Sequence, residues 1–456
     1  MKINNTITFP QGFKTLAGIN TLVFLFCGLI ANAQDKVWSL QECVNHALEN
    51  NISILQIKNT LLTNEQDIIA AKGQFLPSAN AGVGVGLGLG SGFDPVTNLR
   101  INNEVTYSAN YNIGANYTIF NGFRRINLYK QSQLTLEANT LELARIKDDI
   151  SLNVVNSYLN ILFNKENLET ANAQYEFSKK QLNQVEELVN AGVQPQANIF
   201  DAQATLSRDL QSITVAENNY ELSLLTLSQI LQVPFKGFSV EVLDVDNPSA
   251  ELLYSNVDSI LDYALANRNE IKVAEKNIAN SKLGTEISKS GYYPNISAGY
   301  GLSSVWSERK NDFFKQSFLN ELDVNKGHNF RLNVNIPIFS QYQNKTAVAK
   351  SQIQEQNALL GLEQAKLTLE ANIQRAFTDA KSALRAYEAA KLSLESQELA
   401  FSNSEERYSI GVMNAFDLEQ SRLRLVNAEA SLINAKYDFV FKTKVLDFYL
   451  GKPITE

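Results

Sequence analysis

Four stretches of this chain alternate apolar and polar residues with a period of two. Across 78–90, Ala79, Ala81, Val83, Val85, Leu87 and Leu89 share one face, while Ser78, Asn80 and glycines share the other. Tyr107, Ala109, Tyr111, Ile113, Ala115, Tyr117 and Ile119 alternate with Ser108, Asn110, Asn112, Gly114, Asn116 and Thr118. The pattern returns at 295–303. It returns again at 329–338, where Phe330, Leu332, Val334, Ile336 and Ile338 oppose Asn329, Arg331, Asn333 and Asn335. Successive side chains of a strand point to opposite faces, so each stretch predicts a strand with one apolar and one wet face. Beyond each strand pair the period changes. From 122 to 194 and from 340 to 452 there is no proline, and apolar or small residues recur at 3-4 spacing. Val154, Ile161, Leu168, Tyr175, Leu182 and Val189 mark one seam; Ile373, Ala380, Tyr387, Leu394, Phe401 and Tyr408 mark the other. Such spacing predicts helices that pack side by side, and a continuous helix over 122–190 would be about 100 Å long at 1.5 Å per residue.

The same order of elements occurs twice. Gly192-Val193 and Gly411-Val412 stand at an offset of 219 residues, as do Leu231 and Leu450, and Ile119-Phe120 and Ile338-Phe339. Nearer the start the offset is 217, pairing Pro77 with Pro294 and Ala47-Leu48 with Ala264-Leu265. The expected organisation is a signal segment at 1–33, a first repeat at 34–234, a connecting segment at 235–258 and a second repeat at 259–456. Each long helix ends at a glycine turn, 190–195 and 409–413, after which helices resume over 198–231 and 417–450. Glycine supplies the left-handed conformation that stops a helix, and Pro195 blocks continuation in the first copy.

Strands of about 9–11 residues suffice to cross a bilayer in a barrel. A water-soluble sandwich would also alternate. The Asn, Ser and Gly face suits a wet lumen, however, and tyrosines on the apolar face suit interfacial girdles. Four strands cannot close alone, because an open edge leaves backbone groups unpaired in hydrocarbon. Known barrels begin at about eight strands, so the chain must pool strands with copies of itself, and three copies would supply twelve.

Composition narrows the function. The N-terminus carries Lys2 and Lys14, an apolar run over 19–31 and Ala31-Asn32-Ala33, the pattern of a secretory signal cleaved after Ala33. Phe26 before Cys27 argues against lipid attachment there. Cleavage leaves Cys43 alone, which excludes an internal disulfide and reads as a small buried apolar residue. A net charge of −8 disfavours a nucleic-acid partner. No glycine in 82–92 begins a G-x-G-x-x-G motif, so a dinucleotide site is excluded. The two histidines, His46 and His328, lie in different elements, the latter expected in an external loop. No metal-ligand, Ser/His/Asp or Cys/His spacing supports an enzyme or a bound cofactor.

Several residues together carry a family resemblance. They are the opening helix with Ala47-Leu48-Glu49-Asn50-Asn51, the strand-entry prolines Pro77 and Pro294, Ile119-Phe120-Asn121-Gly122, and the tip pattern Tyr408-x-x-Gly411 with Asp417 six residues on. Over nearly the whole chain after the signal it resembles the TolC-type outer membrane factors (outer membrane efflux proteins). The resemblance implies a homotrimer: a twelve-stranded barrel in the outer membrane, four strands per chain, continuous with a twelve-helix tunnel in the periplasm. It implies a passive exit duct of tripartite efflux pumps or type I secretion systems, docking a periplasmic adaptor and through it an inner-membrane transporter. By the same resemblance, Asp417 matches a pore-constriction aspartate. Asp201, Asn198 and Gln420 occupy the corresponding places, and Met413 stands where the family has a gating arginine. Gly192, Val193, Gly411, Val412 and Tyr408 mark the tip hairpins expected to meet the adaptor. Helix-terminal charge placement is the plainer reading of Asp201 and Asp417. A periplasmic coiled-coil adaptor is the alternative function, but it would have one helical hairpin and no paired membrane strands.

Overall fold

The computed structural model describes residues 36–93, 96, 98–242, 254, 256–309 and 317–452. The expected signal segment 1–33, with Cys27, lies outside the described residues, as do 243–253 of the expected connecting segment.

The chain opens with β1 (Val37–Trp38), α1 (Leu40–Asn50) and α2 (Ile52–Gly73). Ser39 and Glu42 form a reciprocal capping box that starts α1, and the Asn51 side chain accepts from Ser53 N at 2.9 Å to start α2. Strands β2 (Ser78–Phe93) and β3 (Arg100–Asn121) lead into α3 (Arg124–Asn190), which returns through α4 (Ala197–Leu231). After β4 (Ser239–Val240) come α5 (Asp258–Asn267), α6 (Asn269–Lys289) and β5 (Asn295–Arg309). Next follow α7 (Phe318–Val324), β6 (Gly327–Asn335), α8 (Gln343–Ser409) and α9 (Ala415–Tyr449). Helices α3 and α8 are each 67 residues long, so each is a rod of about 100 Å. No described helix is long and apolar enough to cross a membrane.

The sheet runs β2-β3-β5-β6, antiparallel throughout, with both outer edges unpaired within the chain. Its register aligns like with like. Val83 faces Tyr111, Ile113 faces Leu302 and Tyr300 faces Phe330, while Gly82 faces Asn112 and Asn112 faces Ser303. The glycines give the polar face room: a Cβ at Gly82 or Gly84 would stand 2.7 Å from the amide oxygen of Asn112 or Asn110. On the apolar face Val83, Val85 and Phe330 are more than four-fifths exposed, an arrangement that water alone does not stabilise.

Two expectations need correction. The fourth strand stops at Asn335 instead of reaching Ile338, because Pro337 lacks the N–H a ladder needs and fixes its own backbone. His328 lies in β6 opposite Leu302, not in a loop, and its Nδ1 is 2.9 Å from Tyr300 Oη.

Among the described residues three apolar clusters sit along the rods, the smallest joining Ala383, Leu384 and Tyr387 of α8 to Phe439 of α9. In the first, Cys43, Val44 and Ala47 of α1 pack on Val154, Val155, Tyr158 and Leu162 of α3, with Leu227 and Leu231 of α4. Tyr158 Oη donates to Glu241 O at 2.6 Å, tying in the β1–β4 ribbon. Burial pushes the Cys43 thiol up to about 12, so it packs as an inert apolar group. In the second core Ile260 and Ala264 of α5 pack on Leu369, Ile373 and Ala376 of α8.

Candidate functional site

The rods end in two closely similar turns. Gly192 and Gly411 have φ of 74° and 75°, where a side chain is disfavoured. Val193 N donates to Leu188 O at 2.8 Å and Gly192 N to Val189 O at 2.9 Å; Val412 to Arg407 and Gly411 to Tyr408 repeat the pattern. These paired bonds are the Schellman closure, which satisfies carbonyls at the helix end. The turns present Val193, Ile410 and Val412 to solvent, with Phe200 and Phe416 exposed on the first turns of α4 and α9.

Every predicted seam position in both rods is buried or half-buried, from Val154 to Val189 and from Ile373 to Tyr408. Each rod thus packs on its own returning helix, making hairpins α3/α4 and α8/α9. Where the hairpins face each other toward the tips, the Phe177 ring of α3 meets Phe401 of α8 edge-on at 5.6 Å, and nearer the turns the contact is polar. Gln194 Nε2 donates to Tyr408 Oη at 3.4 Å, and Asn198 Nδ2 to Gln194 Oε1 at 3.1 Å. Tyr408, expected at the docking surface, is therefore half-buried and bridges the hairpins.

Deeper in lies a charged cluster. Arg422 of α9 is 2% exposed. Its guanidinium bonds Glu419 at 2.9 and 3.0 Å, Gln174 of α3 at 2.9 Å and Asp209 of α4 at 3.2 Å. Ser178 Oγ of α3 donates to Asp209. Burial works against the charge on Arg422, but the Glu419 hydrogen bond and the Glu419 and Asp209 charges outweigh it. The guanidinium is held above its ordinary value. Gln174 Nε2 also donates to Glu429 at 3.0 Å, and Lys436 reaches Glu166 at 3.2 Å. Arg422, Glu429 and Lys436 stand seven residues apart, a heptad stripe of α9 turned toward α3.

Beside this cluster a cleft of about 290 Å³ opens where α4 and α9 flank α3. Asn198, Asp201 and Gln420 line it together, with Arg208, Glu419 and Phe416. Arg208 spans it to Glu419 at 3.7 Å. Asp417 is not in its lining. Its N–H donates to the N-cap Asn414 Oδ1 at 2.8 Å, and its carboxylate accepts from Asn414 Nδ2 at 3.0 Å. Arg422, Asp209 and Gln174 were not among the residues expected from sequence. The signal was the seven-residue spacing of ionisable residues along the inner stripe of α9.

A sheet with an exposed apolar face, continuing into helices of this length, defines a TolC-type outer membrane factor. The chain belongs to the outer membrane efflux protein family, whose profile matches residues 43–232 and 260–452. It is 24% identical over 321 residues to outer membrane protein TolC of Vibrio cholerae, covering 68% of this chain and 69% of TolC. It is 21% identical over 341 residues to the pyoverdine export outer membrane protein OpmQ of Pseudomonas aeruginosa, covering 75% and 69%. In fold it matches the crystal structure of CusC with a TM-score of 0.77 at 16% identity, covering 91% of this chain and 92% of that one. The family is one of outer-membrane efflux channels rather than of enzymes.

Proposed function

We propose that three copies of this chain form an outer-membrane exit duct: a twelve-stranded barrel in the membrane above a twelve-helix tunnel in the periplasm. The observation that carries the reading is a four-stranded sheet with an exposed apolar face and two free edges, joined to two rods of equal length. Edge-to-edge pairing of β2 with β6 of the next copy removes the open edges that hydrocarbon cannot tolerate. Similar halves in one chain then give the tunnel a near-sixfold wall, consistent with an internal repeat over 34–234 and 259–456.

Transport is by diffusion through water, with the rod tips as the narrow end. The exposed apolar turns at Gly192-Val193 and Gly411-Val412 are the docking surface for a periplasmic adaptor, which links the duct to an inner-membrane transporter of a tripartite efflux pump or type I secretion system. Docking there dilates the tips. Asp201 and Asp417, with Asn198 and Gln420, ring the constriction. Threefold repetition makes the ring acidic, so it favours cations and is screened by salt.

The mass of the purified assembly and its conductance in planar bilayers test the reading. A trimer with a small, cation-selective conductance is expected; a monomer that forms no pore would overturn it. Neutralising both aspartates, Asp201→Asn with Asp417→Asn, should reduce cation selectivity, and unchanged selectivity would remove them from the constriction.

A further inference from the structure

The polar face of the sheet is neutral except at one position. Over 78–90, 106–118, 295–307 and 327–335 it carries serine, threonine, asparagine and glycine, with Val305 and a single ionisable side chain, Arg331. Arg331 is exposed on β6, and among the described residues no carboxylate pairs with it. Glycine stands beside it. Arg331 pairs with Gly299, and at Gly301, two residues along, an added Cβ would meet nothing within 4 Å. Asn116 leans over Gly299 from the far side, its amide oxygen 3.1 Å from where a Cβ would stand. The open edge of β6 has a glycine lane to meet as well. Offsets of 217 and 219 residues carry the paired Gly82 and Asn112 onto Gly299 and Arg331, which pair in turn. On its other side Asn112 pairs with Ser303, and the offset of 217 carries Ser303 back to Gly86. In a barrel closed by the same rule, Arg331 lies between its own Gly299 and Gly86 of the next copy, and Asn329 meets Gly88 of that copy.

We infer that Arg331 forms an anion-binding site on the wall of the barrel lumen, three to an assembly, each completed by the glycine lane of the neighbouring copy. The inference rests on the duct reading, because half of every site comes from another chain. Chemistry names the ligand class: solutes bearing carboxylate or phosphate groups, whose oxygens match the planar fork of a guanidinium that stays charged at any working pH. The asparagine amides and hydroxyls around it add hydrogen-bond donors without adding negative charge. Glycine on both flanks leaves space on the wall beside the guanidinium, where a larger side chain would stand in the way of the solute. Asn112 holds the matching place in the first half of the chain, so the ring carries three charges and not six. The barrel ring and the acidic tips act at opposite ends of the duct. The narrow tips set the preference for small cations, and the ring engages the acidic groups of a solute in the barrel.

Two measurements on the purified assembly test the site. Tripolyphosphate added to the barrel side in planar bilayers should block the wild-type current at 0.1 M salt, and the block should fade toward 1 M as the screening length falls from about 10 Å to about 3 Å. Arg331→Gln should need severalfold more tripolyphosphate for the same block, while Arg331→Lys keeps most of it; the side chain is exposed, so neither change disturbs packing. Equal block in the wild type and Arg331→Gln, or none in either, would overturn the site and leave a conducting trimer as the duct. Oxidation reads the shared edge. Cys43 is buried, and a Cβ at Gly88 would meet nothing nearer than 3.8 Å. Gly88→Cys with Asn329→Cys should therefore link copies into covalent trimers, whereas Gly88→Cys with Asn333→Cys, four residues out of step, should not. Failure of the first pair to link, even in a conducting trimer, would overturn the shared site. A monomer without a pore would overturn the duct and the site together.

Discussion

The same two helices, α3 and α9, meet in two different chemistries along one rod. Midway along it, Ile433 and Tyr437 are buried with Val154, Leu159 and Leu162, and the Phe163 ring meets Tyr437 edge-on at 6.2 Å. A few turns closer to the tip, the contact passes to Gln174, Glu429 and Arg422. Apolar contact is lost outright when water enters, whereas hydrogen bonds to charged groups, each worth about 1.5–3 kcal/mol net, can be partly replaced by bonds to water. The α3–α9 contact thus changes from apolar in the middle to polar toward the end, where the Phe177–Phe401 ring pair adds an apolar contact between α3 and α8. The difference also explains why each hairpin keeps a continuous seam of its own: separation between hairpins need not unpack either one.

The comparison breaks most sharply in the middle. Ile161→Ala, at a site with 0% exposure, should cost about 2–5 kcal/mol and lower the thermal midpoint of the whole assembly, tip and core unfolding together. A paired glycine test separates packed from open backbone. Gly122 and Gly411 both have positive φ, so alanine at either costs about 1–2 kcal/mol in backbone strain. At Gly122 the new Cβ would also lie 2.7 Å from Ser290 O and 2.8 Å from Tyr293 Cβ, adding about 1–3 kcal/mol of overpacking. At Gly411 nothing lies within 4 Å. Denaturant unfolding should therefore rank Gly122→Ala clearly below Gly411→Ala; equal losses would mean that the junction yields freely.

The smallest effect concerns Glu429. Burial raises its pKa above 4.5; the Gln174 hydrogen bond opposes this and the Glu398 charge adds to it. A carboxyl that holds its proton more tightly when folded contributes stability that is complete below pH 4.5 and lost as pH rises through the raised value. Glu429→Gln should therefore match the wild type in acid and gain slightly on it toward neutrality. Thermal midpoints across that pH range would show it, and a gain confined to acid would reverse the sign.

Much of this arrangement was legible in the order of residues. Alternation gave β2, β3 and β5 because one face must be apolar and the other wet, and 3-4 spacing gave the seams because a helix pair buries one stripe each. Pro337 should have shortened the last strand, since alternation alone carries no information about a missing N–H. Arg422 was harder to see. Counting from Gly411 follows one helix, whereas its partners Asp209 and Gln174 are set by the register between helices. A polar residue on a helix reads the same whether it faces water or an opposing rod. The candidate constriction residues divide for a related reason: Asn198, Asp201 and Gln420 converge only because α4 and α9 both pack on α3.

The junction between sheet and rod carries a mechanical consequence. Gly122-Phe123 and Gln341-Tyr342 are consecutive left-handed pairs that each lead into a 67-residue helix, the first directly from β3 and the second with five residues between it and the end of β6. At the first, the backbone of Gly122 lies hard against Ser290 and Tyr293, the knuckle from which β5 departs. A rod of about 100 Å is a lever: one degree of tilt at its root moves the far end by roughly 2 Å, more than half a hydrogen-bond length. The accuracy with which Arg422 meets Asp209 is therefore inherited from a glycine most of the rod's length away, which sets the aim of the rod.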